Sequence, residues 1–197
     1  FDDLRVPDKL TLQSINKVFT EIYDAWNSDT FFSLTKAFEL PTNNQIKTFS
    51  RGMRMKAALT IALSHDAKLL ILDEATAGMD VSGREHVLEI LEDYLGDDRA
   101  ILISSHISED IEQLATQLVF MRDGRIILKE SKEVLLSQYG IIDQPVEHFN
   151  ISNEYLIATR RRNDRQISLV NNYQKVPDAQ PLKTIDDATK IIMRGEV

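Results

Sequence analysis

The chain has 197 residues, of which 43% are hydrophobic and 27% charged, a composition typical of a globular protein rather than a disordered one. Its formal net charge of −8 argues against nucleic-acid binding, which needs a basic face. The lack of cysteine excludes a disulfide framework and thiolate zinc sites. No apolar run reaches the roughly 18 residues of a membrane-spanning helix, and the acidic start Phe1-Asp2-Asp3 is unlike a signal peptide.

The first forty residues carry the apolar spacing of helices. Hydrophobic side chains follow one helix face over residues 12–26, and the pattern repeats over 31–38 after the cap signal Ser28-Asp29. A proline ends the second pattern, and residues 41–47 are mostly polar. Residues 11–40 are therefore predicted to form a small helical region followed by a loop.

Short apolar runs separated by helical patterns predict an α/β region with a parallel sheet. The runs are residues 69–72, 100–103 and 118–121. A continuous run such as Leu69-Leu70-Ile71-Leu72 is typical of a strand that is buried on both faces. Asp123-Gly124, which follows the third run, predicts a tight hairpin.

Toward the C-terminus the pattern changes, and residues 145–197 are predicted to form a small α+β appendage. Strands are expected over residues 154–159 and 166–171, and a closing helix over 184–194. The arginine-rich segment 160–165 is interpreted as a solvated edge between the two strands, with contact to lipid head groups or an acidic partner as the less favoured alternative. Nothing in this region points to a reaction.

The strongest chemical signal is the acidic pair that ends the first apolar run. In an open parallel sheet, ligands bind beyond the carboxyl ends of the strands, and Asp73 stands at such an end. A carboxylate there can hold Mg²⁺, and Glu74, which points in a different direction, can orient or deprotonate an attacking water. For this pair alone, a strand that ends in a solvated acidic turn is an equal alternative.

A histidine follows the second apolar run. His106 comes after Ser104-Ser105 and is expected on the same rim of the sheet as Asp73. An imidazole there can hydrogen-bond a terminal phosphate and its attacking water. A lone histidine is more often structural, but a position one strand away from an acidic pair favours a functional role.

Two further segments are notable, and the first of them could lie near a phosphate. Phe49-Ser50-Arg51-Gly52-Met53 precedes a helical pattern, and a helix N-terminus favours an anion. Ala77-Gly78-Met79-Asp80 follows the acidic strand end. Each has a plain structural interpretation as well, because serine is a common N-cap and glycine a common turn residue. They become informative in combination with the acidic pair and the histidine.

Taken together and in this order, these elements resemble the ATP-binding subunits of ABC transporters. Residues 49–53 look like a degenerate form of the family's signature motif, which usually reads Leu-Ser-Gly-Gly-Gln. The resemblance implies that Ser50, Arg51, Gly52 and Met53 contact ATP that the opposite subunit holds. Such contacts would make two copies, or two related chains, cooperate head to tail.

The remaining motifs match the same family. Leu69 to Asp73 looks like the Walker B strand, so Asp73 is expected to hold Mg²⁺. Glu74 stands in the family's catalytic position, Asp80 lies in a segment similar to the D-loop, and His106 is similar to the switch histidine. The resemblance therefore assigns ATP and Mg²⁺ as the cofactors.

The resemblance also implies an architecture and a cellular role. The expected fold is a P-loop NTPase-like parallel sheet with a helical subdomain, divided into residues 1–48 (helical subdomain), 49–144 (ATPase core) and 145–197 (appendage). The expected function is an ATP-hydrolysing motor subunit that drives export through transmembrane permease subunits. Such a subunit pairs with a second nucleotide-binding subunit in the cytoplasm, on the inner face of the cell membrane, and binds no nucleic acid.

The sequence departs from the family pattern in two places. The Walker A loop, Gly-x-x-x-x-Gly-Lys-Ser/Thr, matches none of the seven glycines. In the family this loop lies upstream of the helical subdomain, so the 197 residues are expected to begin within the domain and to be inactive alone. Asp2 falls near the position of the family's Q-loop glutamine.

Other functions stay open from sequence alone. An ABC-type ATPase in translation or DNA repair would tend to carry tandem domains or long coiled coils, and the sequence shows neither. A non-hydrolysing regulatory or interaction fragment is supported only by the lack of a Walker A loop. Within the transporters, the Arg-Gly-Met form of the signature resembles bacterial exporters of peptides or antimicrobial agents.

Overall fold

The computed structural model describes residues 4–96 and 98–196, and the chain divides into two compact units between Ile107 and Ser108. In the first unit the helices and strands follow the order of an α/β region after two N-terminal helices. They are α1 (Leu12–Ile22), α2 (Ser28–Ala37), α3 (Arg51–Leu63), β1 (Leu69–Asp73), α4 (Val81–Tyr94) and β2 (Ala100–Ser104), with a short 3₁₀ turn at Ile46–Thr48.

An aromatic cluster packs between the two N-terminal helices, α1 and α2. Trp26 stacks on Phe19 with ring centroids 5.1 Å apart and lies 5.2 Å from Phe31. Its indole N–H donates to Asn16 Oδ1 at 2.8 Å. Helix α1 nevertheless ends at Ile22, before the predicted end at residue 26, because the backbone becomes extended there. The apolar pattern extends beyond the end of the helix because Trp26, which lies in non-helical backbone, also packs into the cluster.

Strands β1 and β2 form the predicted parallel pair. The prediction that β1 is buried on both faces is wrong. Leu70 and Leu72 are buried, whereas Leu69 and Ile71 are 55% and 61% exposed. Successive side chains of a strand point to opposite faces, and the described residues cover only one face of β1.

The second unit is richer in strands. Its elements are α5 (Ser108–Leu114), β3 (Gln117–Arg122), β4 (Arg125–Ser131), α6 (Lys132–Gln138), β5 (Gly140–Pro145), β6 (Leu156–Arg162), β7 (Arg165–Val170), β8 (Gln180–Pro181) and α7 (Ile185–Arg194), with 3₁₀ turns at Val146–His148 and Tyr173–Lys175. The two strands and the closing helix predicted for the appendage are confirmed as β6, β7 and α7. Strands β5 and β8 were not expected.

The third apolar run forms β3, but β3 pairs with β4 in antiparallel fashion, so its predicted place in a parallel sheet is wrong. The predicted hairpin is confirmed. Asp123 and Gly124 both adopt left-handed backbone angles, with φ of 52° and 74°. A two-residue turn of this kind joins neighbouring antiparallel strands. The turn at Asp123-Gly124 therefore accounts for the pairing of β3 with β4.

Helix α7 and the four-stranded sheet, in the order β6-β7-β5-β8, are central to the second unit. Ile185, Ala188 and Ile192 of α7 share a buried core with Ala158 and Leu169 of the sheet. From β3, a guanidinium N–H of Arg122 donates to the carbonyls of residues 192 and 195 at the end of α7. A cation there complements the negative end of the helix dipole.

Among the residues that the structure describes, no helix is long and apolar enough to cross a membrane. The division predicted from the sequence, with boundaries after residues 48 and 144, concerns functional subdomains and stays a prediction. The acidic pair and the histidine that the sequence singled out all lie in the first unit, at the ends of β1 and β2.

Candidate functional site

The carboxyl ends of β1 and β2 bring an acidic residue against a serine. Asp73 lies directly opposite Ser104 in the parallel register. The Ser104 hydroxyl donates to Asp73 Oδ1. One residue further on, the Glu74 N–H donates to the Ser104 carbonyl at 3.0 Å. A side-chain and a backbone hydrogen bond thus help to join the two strand ends.

Glu74 and His106 make the next contact along the same rim. His106 Nδ1 lies 2.5 Å from Glu74 Oε2. Because an ionised carboxylate only accepts hydrogen bonds, this contact places a proton on Nδ1. The other ring nitrogen, Nε2, is then an acceptor in the neutral imidazole and a donor in the imidazolium. The structure places His106 beside the acidic pair, where the sequence predicted it.

The backbone of Glu74 is in an unusual conformation. Its φ is 51°, in the left-handed region that residues with a side chain seldom adopt. Such a conformation costs about 1 kcal/mol or more and persists where the surroundings hold it. The bonds to Ser104 and His106 hold the residue from two sides, and the next residues, Ala75 and Thr76, are buried. The turn therefore fixes where the carboxylate projects.

The signature-like segment forms the start of α3. Ser50 is the N-cap, and its Oγ accepts a hydrogen bond from the Met53 N–H at 3.2 Å. The plain structural interpretation of Ser50 therefore holds in the structure. The first N–H groups of a helix have no acceptor within the helix, so this end also favours an anion. A Cβ built on Gly52 would meet nothing within 4 Å, which leaves room for a ligand to approach the backbone.

The segment 77–80 packs against the start of α3. Asp80 caps α4, with its Oδ1 accepting from the Gly83 N–H at 3.2 Å. Gly78 has a left-handed φ of 78°, and a Cβ built on it would lie 3.5 Å from Arg51 Cδ. The Arg51 side chain therefore lies across this turn. The structure thus brings the start of α3 and the segment 77–80 together as a second group of candidate residues.

The rim suits a Mg²⁺ ion that is also coordinated by water and phosphate, rather than one that is coordinated by the protein alone. Asp73 and Ser104 offer oxygen atoms only, the donor type that Mg²⁺ prefers. Within residues 4–96 and 98–196, no group of three or more His, Asp or Glu side chains could hold a metal ion. A magnesium ion at Asp73 would therefore take most of its ligands from water and phosphate, as Mg²⁺ commonly does.

Two residues stand apart from these predictions. Asp2, the position compared with the Q-loop glutamine, lies outside the described residues. Ser104 was not singled out from the sequence, although it contacts both acidic residues. Its position at the end of the second apolar run was the available signal, but serine is too common at strand ends for that position to be specific.

The comparisons with known proteins agree on one family. Residues 6–77 match the family model described as ABC transporter. This range includes the start of α3, strand β1, Asp73 and Glu74. Over 116 residues the chain is 37% identical to the lantibiotic transport ATP-binding protein SrtF of Streptococcus pyogenes. That alignment covers 59% of this chain and 47% of the relative, so the chain spans about half the length of the curated relatives it matches.

Solved structures show the same fold. An ATP-binding subunit of an ABC transporter superposes with a TM-score of 0.61 at 22% identity, covering 68% of this chain and 58% of that one. A dimeric ATP-binding cassette in a post-hydrolysis state, bound to ADP and Pi, superposes with a TM-score of 0.58 at 18% identity and covers 66% of this chain and 60% of that one. The fold class expected from the sequence, an α/β P-loop NTPase-like domain, is confirmed.

The two glycines of the second group give a matched test of the backbone geometry. We predict that Gly78→Ala destabilises the protein by about 1–2 kcal/mol, because an L-residue is strained at its positive φ. Gly52→Ala should change stability by less than about 0.5 kcal/mol or raise it slightly, because the added methyl meets nothing and alanine favours helix. Urea denaturation of both variants measures the difference. Equal stability of the two variants would contradict the described turn.

Proposed function

We propose that this chain, which matches the ABC transporter family over residues 6–77, is an ATP-binding protein of that family and that in the complete subunit it hydrolyses ATP at the rim formed by Asp73, Glu74 and His106. The observation that carries the proposal is the contact between the Glu74 carboxylate and the His106 imidazole at the ends of neighbouring strands. A structural acidic turn needs no histidine on the next strand. A hydrolytic site needs both a group for the water and a group for the phosphate.

Each residue has a chemical task in this proposal. Asp73 holds Mg²⁺ together with the phosphates, and bound Mg²⁺ neutralises charge on their oxygens. Glu74 accepts a hydrogen bond from the attacking water and orients it toward the terminal phosphate. His106 keeps Nδ1–H on Glu74 and, as the imidazolium, donates from Nε2 to the terminal phosphate. Glu74 contacts His106 and Asp73 contacts Ser104, so the two acids have different partners and need not compete for one ligand.

The start of α3 serves a second subunit in this proposal. The N–H groups opening this helix, together with Ser50 and Gly52, would close on the terminal phosphate of ATP held by the partner. Arg51, which lies over the turn at Gly78, ties this surface to the segment that contains Asp80. The likeness to a dimeric ATP-binding cassette supports the fold that such pairing requires.

The role in transport follows from the relatives. We infer that the complete protein works with transmembrane permease subunits on the inner face of the cell membrane. The name of the streptococcal relative, a lantibiotic transport protein, supports export of a peptide or antimicrobial agent. The 197 residues alone should bind ATP weakly and not hydrolyse it, because no Gly-x-x-x-x-Gly-Lys-Ser/Thr loop occurs among them.

Glu74→Gln tests the proposed role of the carboxylate. In the full-length subunit this change should lower the rate of ATP hydrolysis at least about 100-fold, because the amide cannot accept a proton from the water. ATP binding should be preserved, since Asp73 is unchanged. Glu89→Gln, the same change on the exposed face of α4, is the control and should leave the rate unaltered. Normal turnover of Glu74→Gln would remove Glu74 from the mechanism.

Gly52→Asp tests the contact across the dimer. A carboxylate there would place negative charge where the partner's phosphate is proposed to lie, and like charges in an interface cost several kcal/mol. ATP-induced dimerisation, followed by sedimentation in a Glu74→Gln background, should weaken at least about tenfold. ATP binding by the monomer should stay close to normal.

The matched control is Gly96→Asp. An added Cβ at Gly96 also meets nothing within 4 Å, but Gly96 lies between α4 and β2, outside the signature-like segment. It should dimerise like its parent. If Gly52→Asp also dimerised like its parent, residues 49–53 would be an ordinary helix start rather than a phosphate loop acting in trans.

A further inference from the structure

Ser104 contacts both members of the acidic pair. Its hydroxyl donates to Asp73 Oδ1, and its carbonyl accepts the Glu74 N–H at 3.0 Å. We propose that Ser104 is a positioning residue, whose hydroxyl sets the orientation of the Asp73 carboxylate for Mg²⁺. This inference rests on the proposed function, because it concerns the metal ligand of the same site.

The backbone and the side chain of Ser104 have separable effects. Any residue at this position could accept the Glu74 N–H through its carbonyl, so that bond survives substitution. The bond to the Asp73 carboxylate, in contrast, requires a hydrogen-bond donor on the side chain. A substitution at Ser104 therefore isolates the bond to Asp73 and leaves the strand pairing in place.

The hydroxyl matters because the Asp73 side chain is exposed at the end of its strand. An exposed carboxylate can rotate about its terminal bond, and a ligand that must be ordered binds a metal more weakly. The hydrogen bond from Ser104 to Oδ1 restricts that rotation before the metal arrives. Partners that orient a metal ligand in this way typically change metal affinity by about 10-fold to 100-fold when removed.

On the rim, Ser104 and His106 have similar roles, because each contacts one of the two carboxylates. Ser104 is the last residue of β2, and His106 lies two residues further on. Each contacts one acid of the pair at the end of β1. Ser104 holds the acid assigned to the metal, and His106 holds the acid assigned to the water. In this proposal, residues at the end of β2 therefore orient the carboxylates of both Asp73 and Glu74.

The test measures metal binding directly in the full-length subunit. Mn²⁺, a spectroscopic substitute for Mg²⁺, is titrated with ATP present and followed by electron paramagnetic resonance, in a Glu74→Gln background that suppresses turnover. Ser104→Ala should raise the Kd for Mn²⁺ about tenfold. Ser104→Thr, which keeps the hydroxyl, should stay within about twofold of the parent. Ser33→Ala makes the same change at an exposed position of α2 and should have no effect.

A second variant keeps the test informative if Ser104→Ala does not fold. Ser104→Cys keeps the size of the side chain but donates weakly, so it should show a loss between those of the threonine and alanine variants. Parental Mn²⁺ affinity in Ser104→Ala, or in Ser104→Cys if the alanine variant does not fold, would overturn the role of Ser104 and leave the proposed function standing. A parent that bound no Mn²⁺ in the presence of ATP would instead refute the proposed function itself.

Discussion

The parallel pairing of β1 and β2 is the constraint on which the site depends. This register sets Asp73 opposite Ser104, and from that alignment the contact between Glu74 and His106 follows. A slip by one residue would reverse the face to which every side chain of the slipped strand points. The four polar residues would then no longer meet. The chemistry assigned to the rim is therefore a consequence of backbone hydrogen bonds between two short apolar strands.

Several residues at the site have a structural task beside the functional one proposed for them. Ser50 caps α3 and Asp80 caps α4, so removing either side chain loosens a helix end at a cost of about 1 kcal/mol before any ligand is considered. The N–H groups at the start of α3 carry the proposed phosphate contact, and the serine cap fixes the geometry in which they point outward. Loss of activity after such substitutions therefore needs a stability measurement beside it. The glycine substitutions avoid this ambiguity because Gly52 has no side chain to lose.

The sequence predicted the rim well because its signal is local. A run of apolar residues followed by acids, and a second run followed by a histidine, are enough to place Asp73, Glu74 and His106 at one edge of a parallel sheet. Burial and strand partners were harder to predict. Burial depends on which other parts of the chain cover each face of a strand, and strand pairing depends on which strands become neighbours in the fold. The apolar run at 69–72 could not reveal that Leu69 and Ile71 are exposed. Asp123-Gly124 did predict the hairpin of β3 and β4, but the parallel pairing that the apolar run at 118–121 suggested is not the pairing observed for β3. The role of Ser104 required the register itself, which composition and spacing do not give.

The central claim is that the register assembles Glu74 and His106 into one unit. A double-mutant cycle on the full-length subunit tests this claim most directly, with single-turnover ATP hydrolysis measured for Glu74→Gln, His106→Ala and the combined variant. Residues that act as a unit lose their effect together, so the combined variant should hydrolyse ATP within about threefold of the slower single variant. If the two losses multiplied instead, the residues would act independently, and the contact at the ends of β1 and β2 would not be the basis of catalysis.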